Sequence, residues 1–230
     1  MGIHDGHRER MRERFFQYGL ETFNEIEALE MLLYYAIPRK DTNPIAHALL
    51  DRFGSLDEVL HATEEELCEV PEISRRTAAL LRMIPQLVRL SEVGRAARIT
   101  TIKTTEDAVN FLRPRFLGER DEIMVLVCLD AQNRVTYVET VSRGVVNAVL
   151  FDPRRVVETA LKRKAVSVLM AHNHPDGPAL PSREDDNATG QIYRALQMVN
   201  ITLYDHIVLA GDEYASYRRS GAMDLYRFKF

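Results

Sequence analysis

The residues best suited to chemistry lie in one stretch, AHNHPDGPALPSREDD, at positions 171–186. His172 and His174 stand two residues apart at the end of an apolar run, so strand geometry would project both imidazoles from one face. Asp185 follows after a loop that three prolines stiffen and that can bring it back to the histidines. Two nitrogen ligands and one oxygen ligand with an open fourth position are typical of catalytic zinc. The stretch therefore predicts a mononuclear metal site with zinc as the cofactor.

The same residues also allow a purely structural interpretation. Two histidines beside a loop can be surface residues, and Ser182-x-x-Asp185 is a helix N-cap pattern in which both side chains accept hydrogen bonds from backbone N–H groups. The order of the pieces favours the metal site. An apolar strand is followed by His-x-His-Pro, by the proline-rich loop, and then by Ser-x-x-Asp at the start of a helix.

An α/β domain is predicted around this stretch. Asp152-Pro153 is typical of a helix start, and residues 182–199 have the apolar spacing of a second helix. Short apolar runs bounded by turn residues predict strands, and the first two of these runs form a predicted β-hairpin. The predicted strands are Ile123–Leu129, Val135–Val141, Ala165–Ala171, Ile201–Ala210 and a short one near Tyr214–Tyr217.

The first hundred residues follow the helical period instead. Apolar residues recur there at intervals of three and four, which predicts several short helices, and Thr63-x-x-Glu66 is a capping box that starts one of them. Residues 95–105 lack a clear apolar period, so we place the linker there. The prediction is a small all-α domain at residues 1–98 and an α/β domain at residues 104–230.

Composition limits the class of protein. With 46% apolar residues in 230 the chain can bury a core, and it contains no apolar run long enough for a membrane span or a secretory signal. We therefore expect a cytoplasmic protein with no membrane partner. Two cysteines are too few for a disulfide framework. Residues 1–100 contain 13 basic and 17 acidic residues, so binding to DNA would have to rest on a local basic patch.

The stretch at 171–186 resembles the signature of the JAB/MPN metalloprotease superfamily, His-x-His-Pro followed by Ser-x-x-Asp. The asparagine between the two histidines is similar to the bacterial RadC family in particular. RDEIMVLVCLDAQNRV, residues 120–135, resembles the first strand of that family, a glutamate followed by apolar residues. Gly144, the Pro153-Arg154 helix start and Asp205-His206 also look like RadC features. The resemblance implies a mixed sheet flanked by helices.

This resemblance also implies roles for individual residues. His172, His174 and Asp185 would bind zinc, Glu122 would act on the water that zinc activates, and Ser182 would support the oxyanion. Helix capping is the competing role of Ser182. His206 is either a partner of the metal ligands or a packed histidine, and the packed role is favoured. Asp186 is predicted to face solvent because it points about 100° away from Asp185 on a helix.

The helical half resembles the RadC N-terminal region, with FGSLDEVLHATEEEL ahead of a helix-hairpin-helix-like segment. Such hairpins usually carry a Gly-x-Gly turn that lets backbone N–H groups approach a phosphate. Here VPEISRR places Glu72, Ile73 and Ser74 at the turn, and a carboxylate repels phosphate. We expect DNA binding that is weak and salt-sensitive at most, and a role for this half in packing or protein contacts.

Together these features predict a zinc-dependent, metallopeptidase-like hydrolase of RadC type that cleaves an amide or isopeptide bond in a protein or peptide. The alternative is a DNA-repair-associated or protein-binding accessory factor whose metal site is structural or vestigial. Glu122 and Ser182 favour the hydrolase, because a structural site needs neither of them. A metal-dependent nuclease fits less well, since phosphodiester chemistry often clusters several carboxylates for magnesium.

Overall fold

The first compact unit is built from helices. A computed structural model describes residues 3–144 and 152–227, and the chain divides into two units, Met1–Val88 and Arg89–Phe230. Asn24 and Thr63 each begin a helix with a capping box, the second as predicted. The helices are α1 (Ile3–Tyr18), α2 (Glu25–Ala36), α3 (Asn43–Phe53), α4 (Leu56–His61), α5 (Glu64–Cys68) and α6 (Arg75–Ala96), with a 3-10 turn at Gly19–Thr22. Helices α2 to α6 meet in one core that includes Leu29, Leu49, Leu67 and Leu81. Helix α1 packs in a smaller cluster, where Met11 contacts residues of α2.

The turn between α5 and α6 is the predicted hairpin, in which Glu72, Ile73 and Ser74 stand where glycines are usual. Glu72 has a φ of 69°, in the left-handed region that glycine adopts without steric cost. Its carboxylate forms an ion pair with Lys40. The backbone therefore takes a glycine-like conformation at a residue that carries a negative side chain.

The second unit contains a five-stranded mixed sheet. Its strands are β1 (Ile123–Leu129), β2 (Val135–Arg143), β3 (Ser167–Asn173), β4 (Thr202–Ala210) and β5 (Glu213–Ser216), arranged in the order β2-β1-β3-β4-β5. The pairing of β3 with β4 is parallel, and the other three pairings are antiparallel. The helices are α7 (Thr105–Leu112), α8 (Pro153–Lys162), α9 (Arg183–Met198) and α10 (Ala222–Arg227), with a 3-10 turn at Arg113–Phe116.

Helices cover both faces of this sheet. Val168 and Met170 of β3 pack in a core with α8, α9 and α10, whereas Leu169 and Ala171 pack in a second core with α7. Every residue of β1 and β3 is buried, because each strand is covered on both sides. His172 has the same parity as Val168 and Met170, so it points toward α9.

The predicted fold class is confirmed: an α/β domain with a mixed sheet flanked by helices follows a helical N-terminal region. The strands begin and end within two residues of the predicted positions. Both cysteines are free thiols, Cys128 buried and Cys68 half-buried. Among the described residues, none of the helices combines the length and apolarity needed to cross a membrane. The boundary between residues 98 and 104 stays a prediction.

Candidate metal centre

Three side chains that the sequence singled out converge at the end of β3. His172 lies inside this strand, His174 follows one residue after its end, and Asp185 occupies the first turn of α9. His172 and Asp185 are buried, and His174 is half-buried. One ligand atom from each residue lies within 4.8 Å of the others, so the cluster could hold a metal ion. The structure therefore brings together the ligand set that the sequence predicted.

The distances within the cluster are close to the spacing of metal ligands. The two imidazole Nε2 atoms are 3.0 Å apart, and the Asp185 carboxylate oxygens lie 3.2 Å from Nε2 of His172 and 3.5 Å from Nε2 of His174. Tetrahedral ligands at zinc distances stand roughly 3.3 to 3.6 Å from one another. One separation lies within this range and two are slightly shorter, so the three atoms would move apart by a few tenths of an ångström to hold an ion of this size.

His174 is held in one tautomer by the loop that follows it. Its Nδ1 lies 2.9 Å from the carbonyl oxygen of Pro178. A carbonyl only accepts hydrogen bonds, so Nδ1 carries a proton, and Nε2 is the ring nitrogen left to bind a cation. The proline-rich loop thus connects His174 to Asp185 and also orients the His174 ring.

Asp185 is fixed by the start of its own helix. The Ser182 hydroxyl accepts from the backbone N–H of Asp185 and donates to its Oδ2 at 2.7 Å, and the Ser182 N–H donates to the same oxygen at 2.8 Å. Burial on its own would raise the pKa of the Asp185 carboxyl, but the close approach of His172 and the hydrogen bonds from Ser182 lower that pKa well below its usual range. The carboxylate is therefore ionised, as a metal ligand requires.

Glu122 precedes the first residue of β1, next to the end of β3. Met124 pairs with His172, so the alternation of the strand sets Glu122 on the same side of the sheet as the histidines. Asn173 ties this segment down on both sides of Glu122. Its Oδ1 accepts from the Ile123 N–H at 2.8 Å, and its Nδ2 donates to the Asp121 carbonyl at 3.0 Å. The asparagine between the histidines thus attaches the glutamate segment to the metal-binding strand.

His206 of β4 contacts the cluster directly. Its Nε2 lies 2.9 Å from Nδ1 of His172, and its Nδ1 lies 2.7 Å from the hydroxyl of Thr189 in α9. Desolvation, with a smaller effect of His172, lowers the pKa of His206 well below its usual value, so the ring is neutral. The Tyr217 ring stacks on it, with the centroids 5.0 Å apart. His206 is therefore both packed and in contact with a ligand, whereas the sequence treated these roles as alternatives.

The prediction for Asp186 is borne out only in part. This residue is exposed, yet its carboxylate accepts a hydrogen bond from Tyr217 at 2.8 Å, and its backbone carbonyl accepts one from Tyr226 at 3.0 Å. The sequence offered no signal for these contacts, because the tyrosines come from elements that follow far along the chain. Asp186 anchors the C-terminal segment to α9 and does not enter the cluster.

A pocket of about 310 Å³ opens beside His174, at the carboxyl ends of the parallel strands β3 and β4. This is the edge at which α/β sheets commonly bind ligands. Its wall combines apolar and charged side chains. The apolar ones are Phe116, Leu117, Pro175 and Leu209, and the charged ones are Arg113, Glu119 and Asp212. The pocket therefore lies against His174 and offers a surface of mixed apolar and charged groups.

The five-stranded mixed sheet, with two histidines at the end of one strand and an aspartate at the start of the next helix, defines a JAB-type domain. Residues 102–222 match the family model described as "RadC-like JAB domain", and the chain belongs to that family. It is 33% identical over 223 residues to a UPF0758 protein of Fusobacterium nucleatum, covering 94% of this chain and 96% of that one. A UPF0758 protein of Paraburkholderia xenovorans is 33% identical over 210 residues, with 91% and 83% covered.

Proposed function

We propose that His172, His174 and Asp185 bind one zinc ion and that the protein is a zinc-dependent hydrolase of an amide-type bond. The observation that carries the proposal is the convergence of two imidazole nitrogens and one carboxylate oxygen at ligand spacing. Imidazole ligands favour zinc over magnesium, which prefers oxygen ligands and retains several waters. Three protein ligands leave a fourth position for water, which is the arrangement of a catalytic zinc and not of a closed structural one.

Zinc would act as a Lewis acid that makes a water molecule reactive near neutral pH. The Glu122 carboxylate is the group assigned to accept a proton from that water and to return it to the leaving amine. Its position beside the end of β3, fixed through Asn173, supports this assignment. The half-buried setting of Glu122 leaves it accessible to a substrate, as a general base must be.

The pocket beside His174 is the proposed site for the part of the substrate next to the cleaved bond. Its apolar residues suit a peptide side chain, and the presence of His174 in its wall supports a position for that side chain near the proposed zinc ion. These features support a peptide or isopeptide substrate over a phosphodiester, which would call for a strongly positive surface.

Replacement of Glu122 by Gln tests the hydrolase proposal. Gln keeps the shape of the side chain but cannot accept a proton, so hydrolysis of a fluorogenic peptide and isopeptide library should fall by about 10² to 10⁴-fold. Zinc content, measured by elemental analysis, should stay at the wild-type level, because Glu122 is not assigned as a ligand. Glu158→Gln is a matched control, since Glu158 is exposed on α8 and pairs with Arg154.

Two results would count against this assignment. Loss of zinc in Glu122→Gln would make Glu122 a fourth ligand of a closed site, which favours the accessory-factor alternative. Full activity in Glu122→Gln would move the general base to another residue.

A further inference from the structure

A continuous chain of hydrogen bonds connects the two ends of the metal cluster behind its ligands. It runs from Nδ1 of His172 to Nε2 of His206 at 2.9 Å and from Nδ1 of His206 to the Thr189 hydroxyl at 2.7 Å. It ends with the Thr189 hydroxyl, which donates to the backbone carbonyl of Asp185 at 2.6 Å. His172, His206 and Thr189 have no exposed surface. The chain therefore joins one ligand on β3 to another on α9 through β4.

The carbonyl at the end of this chain determines the position of every proton in it. The carbonyl of Asp185 can only accept, so the single hydroxyl proton of Thr189 is directed to it. The Thr189 oxygen must then accept from Nδ1–H of His206. A neutral imidazole carries one N–H, so Nε2 of His206 is an acceptor, and Nδ1 of His172 must donate to it.

This order of protons leaves Nε2 of His172 with a lone pair directed at His174 and Asp185. Nε2 of His174 presents a lone pair as well, because its Nδ1 donates to Pro178. Both histidines are thus in the tautomer that binds a cation through Nε2. A histidine ligand commonly donates its other N–H to an oxygen acceptor, and His172 donates to a second imidazole.

We propose that His206 is a positioning residue, which together with Thr189 holds His172 in its metal-binding tautomer and ring orientation. This inference rests on the proposed zinc site, and it assigns His206 a contact with the ligand His172 and none with the ion. A packed histidine would act differently, by filling space and stacking on Tyr217, with an interplanar angle of 12°. The two roles depend on different atoms, since positioning needs the Nε2 acceptor and packing needs only the ring.

Substitutions at His206 separate these roles through zinc affinity, measured by competition with a chromogenic chelator on the full chain. His206→Phe keeps an aromatic ring for stacking but removes the acceptor, so the affinity should fall by about 10 to 100-fold. His206→Gln loses the ring but can place Oε1 near the position of Nε2, so it should bind zinc more tightly than His206→Phe. The Co²⁺ absorption spectrum gives a second readout, because it reports the coordination geometry.

Thr189 provides an independent pair of variants if His206→Phe fails to fold. Thr189→Ser keeps the hydroxyl and should retain the affinity, whereas the isosteric Thr189→Val leaves His206 Nδ1–H without its acceptor and should weaken zinc binding by about tenfold. The melting temperature of the metal-free proteins controls for general damage. His61→Phe is a control, because it makes the same substitution at a half-buried histidine of the helical unit and should leave zinc affinity unchanged.

The possible results point in different directions. Zinc binding by His206→Phe at wild-type affinity, or tighter than by His206→Gln, would overturn the positioning role and leave the proposed zinc site intact. Absence of zinc binding by the wild-type chain would overturn the proposed function and this inference together.

Discussion

Ser182 performs two hydrogen-bonding tasks at the start of α9. Its hydroxyl accepts from the Asp185 N–H as a helix cap, and its single proton is directed to the Asp185 carboxylate. The capping role is therefore present in the structure. Support of an oxyanion would require this proton to turn toward the substrate, which becomes feasible once the carboxylate oxygen is neutralised by a cation. The two roles are compatible and can be separated by mutation.

Ser182→Gly separates them, because glycine replaces serine at an N-cap at a cost of only a few tenths of a kcal/mol. The free energy of unfolding should stay within about 1 kcal/mol of wild type. If Ser182 supports the oxyanion, hydrolysis should fall by about 10² to 10³-fold. Chemical denaturation and steady-state kinetics measure the two effects, and elemental analysis shows whether Asp185, which the Ser182 hydroxyl contacts, still binds zinc.

Ser55→Gly is the matched control, because Ser55 caps α4 in the helical unit with the same hydrogen bond to the third residue of the helix. It should change stability by a similar amount and leave hydrolysis unchanged. Unchanged hydrolysis in Ser182→Gly would restrict Ser182 to capping.

Among the secondary-structure elements, the helix starts could be predicted from short sequence patterns. Thr63, Asp152 and Ser182 begin helices as predicted, because a cap is encoded within four residues. The contact of His206 with His172 was left open, since it depends on the parallel pairing of β3 with β4 across 34 positions. The apolar pattern of a sequence does not indicate which strands become neighbours. The candidate metal ligands could therefore be predicted from the sequence, whereas the hydrogen bonds from His172 to His206 and Thr189 could not.

The turn before α6 gives an element-scale prediction. Glu72 adopts a φ of 69°, and this conformation costs a non-glycine residue roughly 1 to 2 kcal/mol. Glu72→Gly removes that strain but adds backbone freedom to the unfolded chain, so we expect a net gain of about 0.5 to 1 kcal/mol. The loss of the exposed ion pair with Lys40 changes little. Urea unfolding measures the difference.

Glu69→Gly is a suitable comparison, because Glu69 lies three residues earlier and has an ordinary φ of −74°. Glycine at position 69 relieves no backbone strain and adds freedom to the unfolded chain, so it should lower the free energy of unfolding. If both variants lose stability equally, the turn at Glu72 is not strained.

The whole molecule combines a helical unit with a JAB-type domain, and the charge of the first hundred residues is unfavourable for a nucleic-acid surface. Residues 1–100 carry the entire net charge of −4, and Glu72 adds a carboxylate at the turn where phosphate would bind. Weak, salt-sensitive DNA binding stays a prediction. The residues of the proposed zinc site lie in the second unit, where β1, β3, β4 and α9 each contribute at least one residue to the cluster or its surroundings.

The proposed activity depends on a zinc ion at His172, His174 and Asp185, and elemental analysis combined with diffraction at the zinc absorption edge tests for that ion. Protein purified without added metal should contain about one zinc per chain, with an anomalous peak between His172, His174 and Asp185. His174→Ala should lose both the zinc and the peak. A metal-free protein that zinc titration does not change, or an anomalous peak at any other position, would rule out a zinc site formed by these three residues.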